Sequence, residues 1–226
     1  MKNKSQCFIP AIGLGMCLIL QASSVVADNN FSLANAQWEQ WAYSIPTASN
    51  PMLDTTGANC MVGQHGDTWY LAGYFGTGKQ ITRHCTLSAG TSLFFPIYNY
   101  ISFNTPNVCG QDGKNIPVAK LRSDNTNNVN GIKVSLTLDG KPVKGLKRSK
   151  SVVFALALPE DNVFDSPCTP NNVPGKVYSP AVDEGYYATL KPLKIGEHKL
   201  HFTAVNAKGS QQDITYNLTV VPTLKK

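Results

Sequence analysis

Apolar and polar positions alternate most regularly in the C-terminal half of the chain. Ile132, Val134, Leu136 and Leu138 interleave with Lys133, Ser135 and Thr137, which predicts a half-buried strand. Asp139-Gly140 follows as a hairpin turn signal. Val152, Phe154, Leu156 and Leu158 form the next inward row, closed by Pro159. Asp183-Glu184-Gly185 reads as a turn before a short strand over 186–190. Residues 197–205 and 213–221 read as a hairpin across Lys208-Gly209, with Ile214, Tyr216, Leu218 and Val220 facing inward and Pro222 as the stop.

The N-terminal half is less regular. Phe31, Ala34, Trp38, Trp41 and Ile45 recur at helical spacing, with Gln37, Glu39 and Gln40 on the other face. A short amphipathic helix over 32–43 is expected, capped by Ser32 and ended by Pro46. Helical spacing makes Trp38 and Trp41 docking residues rather than a sugar-stacking platform. Loose alternation predicts a strand over 68–75, a second over 81–87, and a buried strand over 91–97. Pro96 places the last of these at a sheet edge or a strand end. Residues 104–131, rich in Asn, Gly, Asp and Pro, read as a long exposed loop, and 159–180, with five prolines, as a second. Several short strands with turn signals between them predict an all-β fold, an antiparallel β-sandwich or jelly-roll with a short N-terminal amphipathic helix.

The start of the chain changes the compartment. Lys2 and Lys4, the apolar run from Cys7 to Leu20, and Val25-Val26-Ala27 make residues 1–27 a signal peptide. The run is shorter than the roughly 20 residues a membrane span needs. Residues 28–226 then form one exported β-rich domain, periplasmic or secreted. Its first part, 28–103, holds the helix and a Cys-, Gly- and Trp-rich stretch; its second, 131–222, holds the regular antiparallel strands. No second stretch is long enough to span a membrane once the leader is gone. Cleavage removes two lysines and no carboxylate, so the formal charge falls from +6 to +4. A balance this mild excludes a dedicated nucleic-acid footprint.

Cleavage also leaves four cysteines, Cys60, Cys85, Cys109 and Cys168. An even number in an exported chain predicts two disulfides. Of three pairings, Cys60–Cys85 and Cys109–Cys168 are favoured, because the first brackets the Gly-rich stretch and the second joins the two long loops.

The chemistry is sparser. No G-x-S-x-G elbow, Cys–His signature, G-x-x-x-x-G-K-[ST] loop or G-x-G-x-x-G turn occurs. His65, Asp67, His84 and His198 could supply a cupin-like metal site, but their spacing matches no ligand signature, and no cofactor is predicted. His198 shares a strand face with Leu200 and Phe202 and reads as a core histidine, His201 as a solvated one. The pairs Glu160-Asp161 and Asp183-Glu184 sit in predicted loops, and neighbours on a strand point opposite ways. Asp54 and Asp67 are the carboxylates left for a hydrolase acting on extracellular polysaccharide. Lys144, Lys147, Arg148 and Lys150 read as a solvated hairpin tip. Flat rings beside planar hydrogen-bonding groups suit a carbohydrate or other envelope component. The candidate set for such a ligand is Gln64, His65, Asp67, Tyr70, Tyr74, Arg83, His84 and Asn99. The function expected from these residues is a non-catalytic binding or envelope-associated role, with the hydrolase and the cupin-like metalloprotein as rivals.

One set of motifs spans most of the mature chain. W-x-x-W at 38–41, N-P at 50–51, D-x-T-G at 54–57, C-x-x-G-Q-x-G-x-x-W-x-L-A-G at 60–73, R-x-C at 83–85, G-x-x-L-F-F-P-x-x-N at 90–99 and P-L-x-x-G-x-H at 192–198 resemble a family of exported bacterial proteins of unassigned function. The resemblance implies export and a β-rich body. It transfers no activity and no catalytic residues.

Overall fold

A computed structural model describes residues 26–168 and 172–222. The leader lies outside this range but for Val26 and Ala27, which open helix α1 (Val26–Tyr43). The strands follow as β1 (Thr68–Tyr70), β2 (Gln80–Ser88) and β3 (Ser92–Phe103). Helix α2 (Val118–Val129) precedes β4 (Lys133–Leu138), β5 (Lys141–Pro142), β6 (Lys147–Lys150) and β7 (Phe154–Ala157). Three long strands close the chain: β8 (Val177–Leu190), β9 (Gly196–Asn206) and β10 (Gly209–Val221).

The strands form two sheets. One runs β1-β3-β8-β6, with β7 also on β8; the other runs β2-β10-β9-β4-β5. The β-rich class is as expected, but the purely antiparallel pattern is not. Thr68 pairs with Ser92 in a parallel β1–β3 ladder, and β2 runs parallel to β10 from Gln80↔Asp213 to Ser88↔Val221. The cause is topological: between β1 and β3 the chain crosses to the second sheet to lay down β2, so it returns to the first in the same direction.

Local patterning is reproduced where it was strongest. Asp139 and Gly140 both take positive φ, as a type I′ turn demands, and join β4 to β5. Ile214, Tyr216, Leu218 and Val220 are all buried. They share one core with Leu93, Phe95 and Ile97 of the other sheet, where Phe95 meets Phe202 at 5.5 Å between ring centroids. A second core lies on the other face of the first sheet, where α1 packs against β6, β7 and β8. The indoles of Trp38 and Trp41 donate to the carbonyls of Leu71 (3.0 Å) and Val62 (3.1 Å), so both tryptophans dock the helix.

Four expectations need correction. Residues 118–129 are helical, with Leu121, Asn125 and Val129 buried. The Asn125 amide donates to the Val182 carbonyl and its oxygen accepts from Ser102, so the Asn-rich segment gains hydrogen bonds rather than apolar area. Asp183-Glu184-Gly185 is not a turn but the buried middle of β8. Pro96 lies inside β3, tolerated because the β3–β8 register shifts between Pro96 and Tyr98. Arg148 and Lys150 belong to β6 and bind Glu184, at 2.7 and 3.6 Å, rather than capping a free hairpin tip. In addition β1 is only three residues long, and Val152 is exposed while Phe154, Leu156 and Leu158 are buried.

The cysteines pair as favoured, Cys60–Cys85 and Cys109–Cys168. The second closes 59 residues and joins the two long polar segments. Replacing Cys109 and Cys168 together by serine is expected to cost about 4 kcal/mol of unfolding free energy by the chain-entropy argument, and replacing Cys60 and Cys85 slightly less. Urea titration of both double variants checks the order, and an equal loss would show that loop length does not set it.

Candidate functional site

The eight candidate residues do not gather on one surface. Gln64 acts as a piece of strand: its Oε1 accepts from the Tyr70 amide (2.9 Å), and its Nε2 donates to the carbonyls of Tyr70 (2.7 Å) and Cys60 (3.1 Å). His65 is exposed and keeps its Nδ1 within 2.9 Å of the Gly63 carbonyl. Asp67 is exposed, and its backbone carbonyl receives the Ser92 amide. Tyr70 is half-buried between the rings of Trp41 and Phe94, and burial raises its hydroxyl pKa. His84 is exposed, 3.5 Å from the Asn217 amide. Arg83 is only 1% exposed and donates to three carbonyls and the Tyr216 hydroxyl.

Tyr74 and Asn99 are the two of the eight that line a shared cavity, of about 390 Å³. Trp38 and Tyr43 of α1 form one wall, residues 73–77 a second, Pro96 to Ile101 of β3 a third, and Phe164 and Pro167 close it. Seven of the lining side chains are aromatic, and none carries a formal charge: Trp38, Tyr43, Tyr74, Phe75, Tyr98, Tyr100 and Phe164 surround the amides of Asn99 and Gln212. The walls are braced from behind. Tyr43 stacks on Phe164 at 4.9 Å, and Phe75 meets Phe164 edge-on at 5.6 Å. Gln212 accepts from the Tyr74 amide and donates to the carbonyls of Tyr74 and Gly76, which fixes the 73–76 segment.

Behind Asn99 lies the most unusual chemistry among the described residues. Its amide donates to Glu39 Oε1 at 2.7 Å. Glu39 and Asp183 are both fully buried, and their carboxyl groups lie close enough to share a hydrogen bond when one is protonated. Tyr187, four residues along β8 from Asp183 and on the same face, donates its hydroxyl to Asp183 Oδ2 at 2.7 Å and lies 3.4 Å from Glu39 Oε1. Asn35, one helical turn before Glu39, reaches Asp183 Oδ2 at 3.4 Å and Ser149 at 2.7 Å. Gly185 makes room for this arrangement: a Cβ there would lie 2.5 Å from the Tyr98 carbonyl and 2.7 Å from the Asn99 Cα.

Burial first, and then the charge of Asp183, raises the Glu39 pKa well above the ordinary carboxylate value. Burial likewise raises Asp183, to about 6, against the lowering effect of its hydrogen bonds from Glu39, Tyr187 and Asn99. Both shifts favour a shared proton: the mutual hydrogen bond raises Glu39 and lowers Asp183, which makes Glu39 the donor and Asp183 the charged member of the singly ionised pair. Glu39 Oε2 and Asp183 Oδ1 are buried without a hydrogen-bond partner. No cation among the described residues forms an ion pair with either group. Glu184, next in sequence, points to the opposite face, where Arg148, Lys150 and Thr126 hold it.

Sequence reasoning missed Glu39, Asp183 and Tyr187. Glu39 was assigned to the solvent face of α1, yet Asn35, Glu39 and Tyr43 recur at every fourth position and are all buried. That spacing was the available signal. Asp54, a hydrolase candidate, is committed to its own loop. Burial opposes its ionisation, but hydrogen bonds from Asn59, Thr56 and Gly57 outweigh burial and lower its pKa. His198 is not a core residue: it sits at the sheet margin between Asp139 (2.8 Å) and the Lys194 carbonyl. His201 pairs with Asp213 at 2.9 Å. Among the described residues, no three His, Cys, Asp or Glu side chains cluster as a metal centre. Comparison with protein-family models gives no match, and comparison with curated proteins gives none either.

Proposed function

We propose that this is an exported binding protein that receives a small ligand between Tyr74, Tyr98, Asn99 and Tyr100. The carrying observation is the cavity itself. Its volume lies within the roughly 300–1,000 Å³ range of small-molecule sites, and an aromatic lining with few convergent amides is their usual composition. The two disulfides support an oxidising compartment, periplasmic or extracellular. No helix among the described residues is long and apolar enough to cross a membrane. The shared core of the two sheets supports a sandwich-like arrangement.

The hydrolase reading is weaker on geometry. Glycosidases hold their two carboxyls about 5–9.5 Å apart with room for water or sugar between them. Glu39 and Asp183 are in direct contact and fully buried. The carbohydrate class remains one candidate ligand, since flat rings stack on sugars as readily as on aromatic compounds.

A thermal-shift screen of glycans and small ring compounds against the mature protein is the test. A true ligand raises the unfolding temperature saturably, and Tyr74→Ala or Tyr100→Ala weakens it about tenfold, each ring contributing on the order of 1.4 kcal/mol. Tyr100 is 38% exposed, so its truncation leaves the fold intact. A ligand whose affinity ignores both substitutions binds elsewhere and overturns the assignment.

A further inference from the structure

We propose that the ligand class is an organic cation, an amine or quaternary ammonium group carried on a compact apolar body. This rests on the cavity being a binding site and names what it selects.

The argument begins with charge. Two fully buried carboxyls stand beside each other here, so the Glu39–Asp183 pair carries a negative charge in the protein interior once the two share a single proton, and among the described residues no ammonium or guanidinium lies within ion-pair distance of it. An isolated buried charge is expensive, and proteins normally pair it or neutralise it. The rest of the chain is basic, with twenty Lys and Arg against fourteen Asp and Glu, so cations are not scarce. Arg148 and Lys150 sit on Glu184, the next residue in β8, and neither reaches Asp183. The absence of a partner is therefore specific to this position.

The charge also lies next to the cavity. Asn99 lines the cavity and donates to Glu39; Tyr43 lines it too, and burial first, then both carboxyls, raise the pKa of its hydroxyl. One layer of side chain separates the charge from the space. That space offers aromatic faces, whose quadrupoles attract cations, and no formal positive charge among its lining residues. One ring of the rim already does this: the Lys79 ammonium lies 5.7 Å from the centroid of Tyr74. A neutral sugar would use the rings but has no need of the carboxylate. An anion would be repelled by it.

The test compares three probes on the mature, disulfide-bonded protein by calorimetry: benzyltrimethylammonium, its neutral carbon isostere neopentylbenzene, and a neutral oligosaccharide. The expected result is that the ammonium probe binds at least about tenfold more tightly than the isostere, the scale of one desolvated cation–π contact. Asp183→Asn removes the charge with little change of shape and is expected to erase most of that preference while leaving isostere binding unchanged. Far-ultraviolet circular dichroism of the variant confirms the fold, and Glu39→Gln, which leaves Asp183 as the charged member, keeps the preference. If isostere or oligosaccharide binds as well as the cation, the cation class is wrong and the cavity reading stands. If none of the three binds and the wider screen also finds nothing, both fail. A preference that survives Asp183→Asn overturns the role of the pair.

Discussion

Arg83→Met is expected to lower the free energy of unfolding by about 3 kcal/mol or more, the largest loss anticipated from any single change on β2. The guanidinium joins the 54 loop, the 72–73 segment and β10 at one point. Its Nε donates to the Asp54 carbonyl at 2.8 Å, one terminal nitrogen to the Ala72 carbonyl and the Tyr216 hydroxyl at 2.5 and 2.6 Å, and the other to Gly73 at 3.0 Å. Methionine fills the volume of a side chain that is almost fully buried and leaves the Asp54 and Gly73 carbonyls without this donor. Lysine is no substitute, because one ammonium cannot reproduce a planar fork aimed at four acceptors. The adjacent His84→Ala, at an exposed position, is expected to stay within about 0.5 kcal/mol of wild type. Urea midpoints for the three variants decide the matter; Arg83→Met within 1 kcal/mol of wild type would refute the structural role.

The second large effect is a dependence on pH. In the unfolded chain Glu39 and Asp183 release their protons at ordinary carboxylate values, near 4.5 and 3.8. In the folded chain both hold them longer. The native state therefore binds more protons over that interval, and stability falls as pH rises. The Asp183 share is lost between about 4 and 6, and Glu39 extends the decline above that. Asp54 and Asp139 act in the opposite sense, since their pKa values are lowered and their contribution vanishes in acid. Maximum stability is expected at about pH 4, between the acid loss of the Asp54 and Asp139 contributions and the decline set by the pair. Tyr43 and Tyr187 lie beside the pair, and the charge of Glu184, on the opposite face of β8, adds to the reluctance of Asp183 to ionise. Glu39→Gln replaces the shared proton with an amide that donates permanently to Asp183. It should flatten the profile and stabilise the protein at pH 8 relative to wild type. Equal wild-type stability at pH 5 and pH 8 would show that the pair does not titrate as described.

What could be read from the sequence follows from range. The Asp139-Gly140 turn, the 214–220 row and the docking role of Trp38 and Trp41 depend on residues within a few positions of each other, and each is as the pattern implied. The parallel pairing of β2 with β10 joins positions more than 130 apart, and no local period encodes it. Polarity is a poor guide at buried positions. Arg83 and Gln64 were read as surface chemistry because charged and amide groups normally face water, yet both spend their hydrogen bonds on backbone carbonyls and amides. Asp183 was read as a turn residue because a carboxylate in the middle of a buried strand is costly. That cost is what marks the site. Helix α2 was hidden for a similar reason, since Asn125 and Thr126 anchor it by hydrogen bonds to β8 rather than by apolar area.

The parallel ladder between β2 and β10 has a consequence for assembly. A ribosome delivers Gln80–Ser88 long before Gly209–Val221 exists. Until the last strand arrives, Ile81, Cys85 and Leu87 have no sheet to join, and one edge of β2 has only the 54–60 segment beside it, through the His84 amide on the Thr56 carbonyl. Loops this long are closed late, because their entropy must be spent before any contact returns it. The sheet that carries the larger core is thus completed by its first and last strands together. The nascent chain stays open for most of its synthesis, a state suited to being threaded through a pore and exposed to aggregation if synthesis stalls.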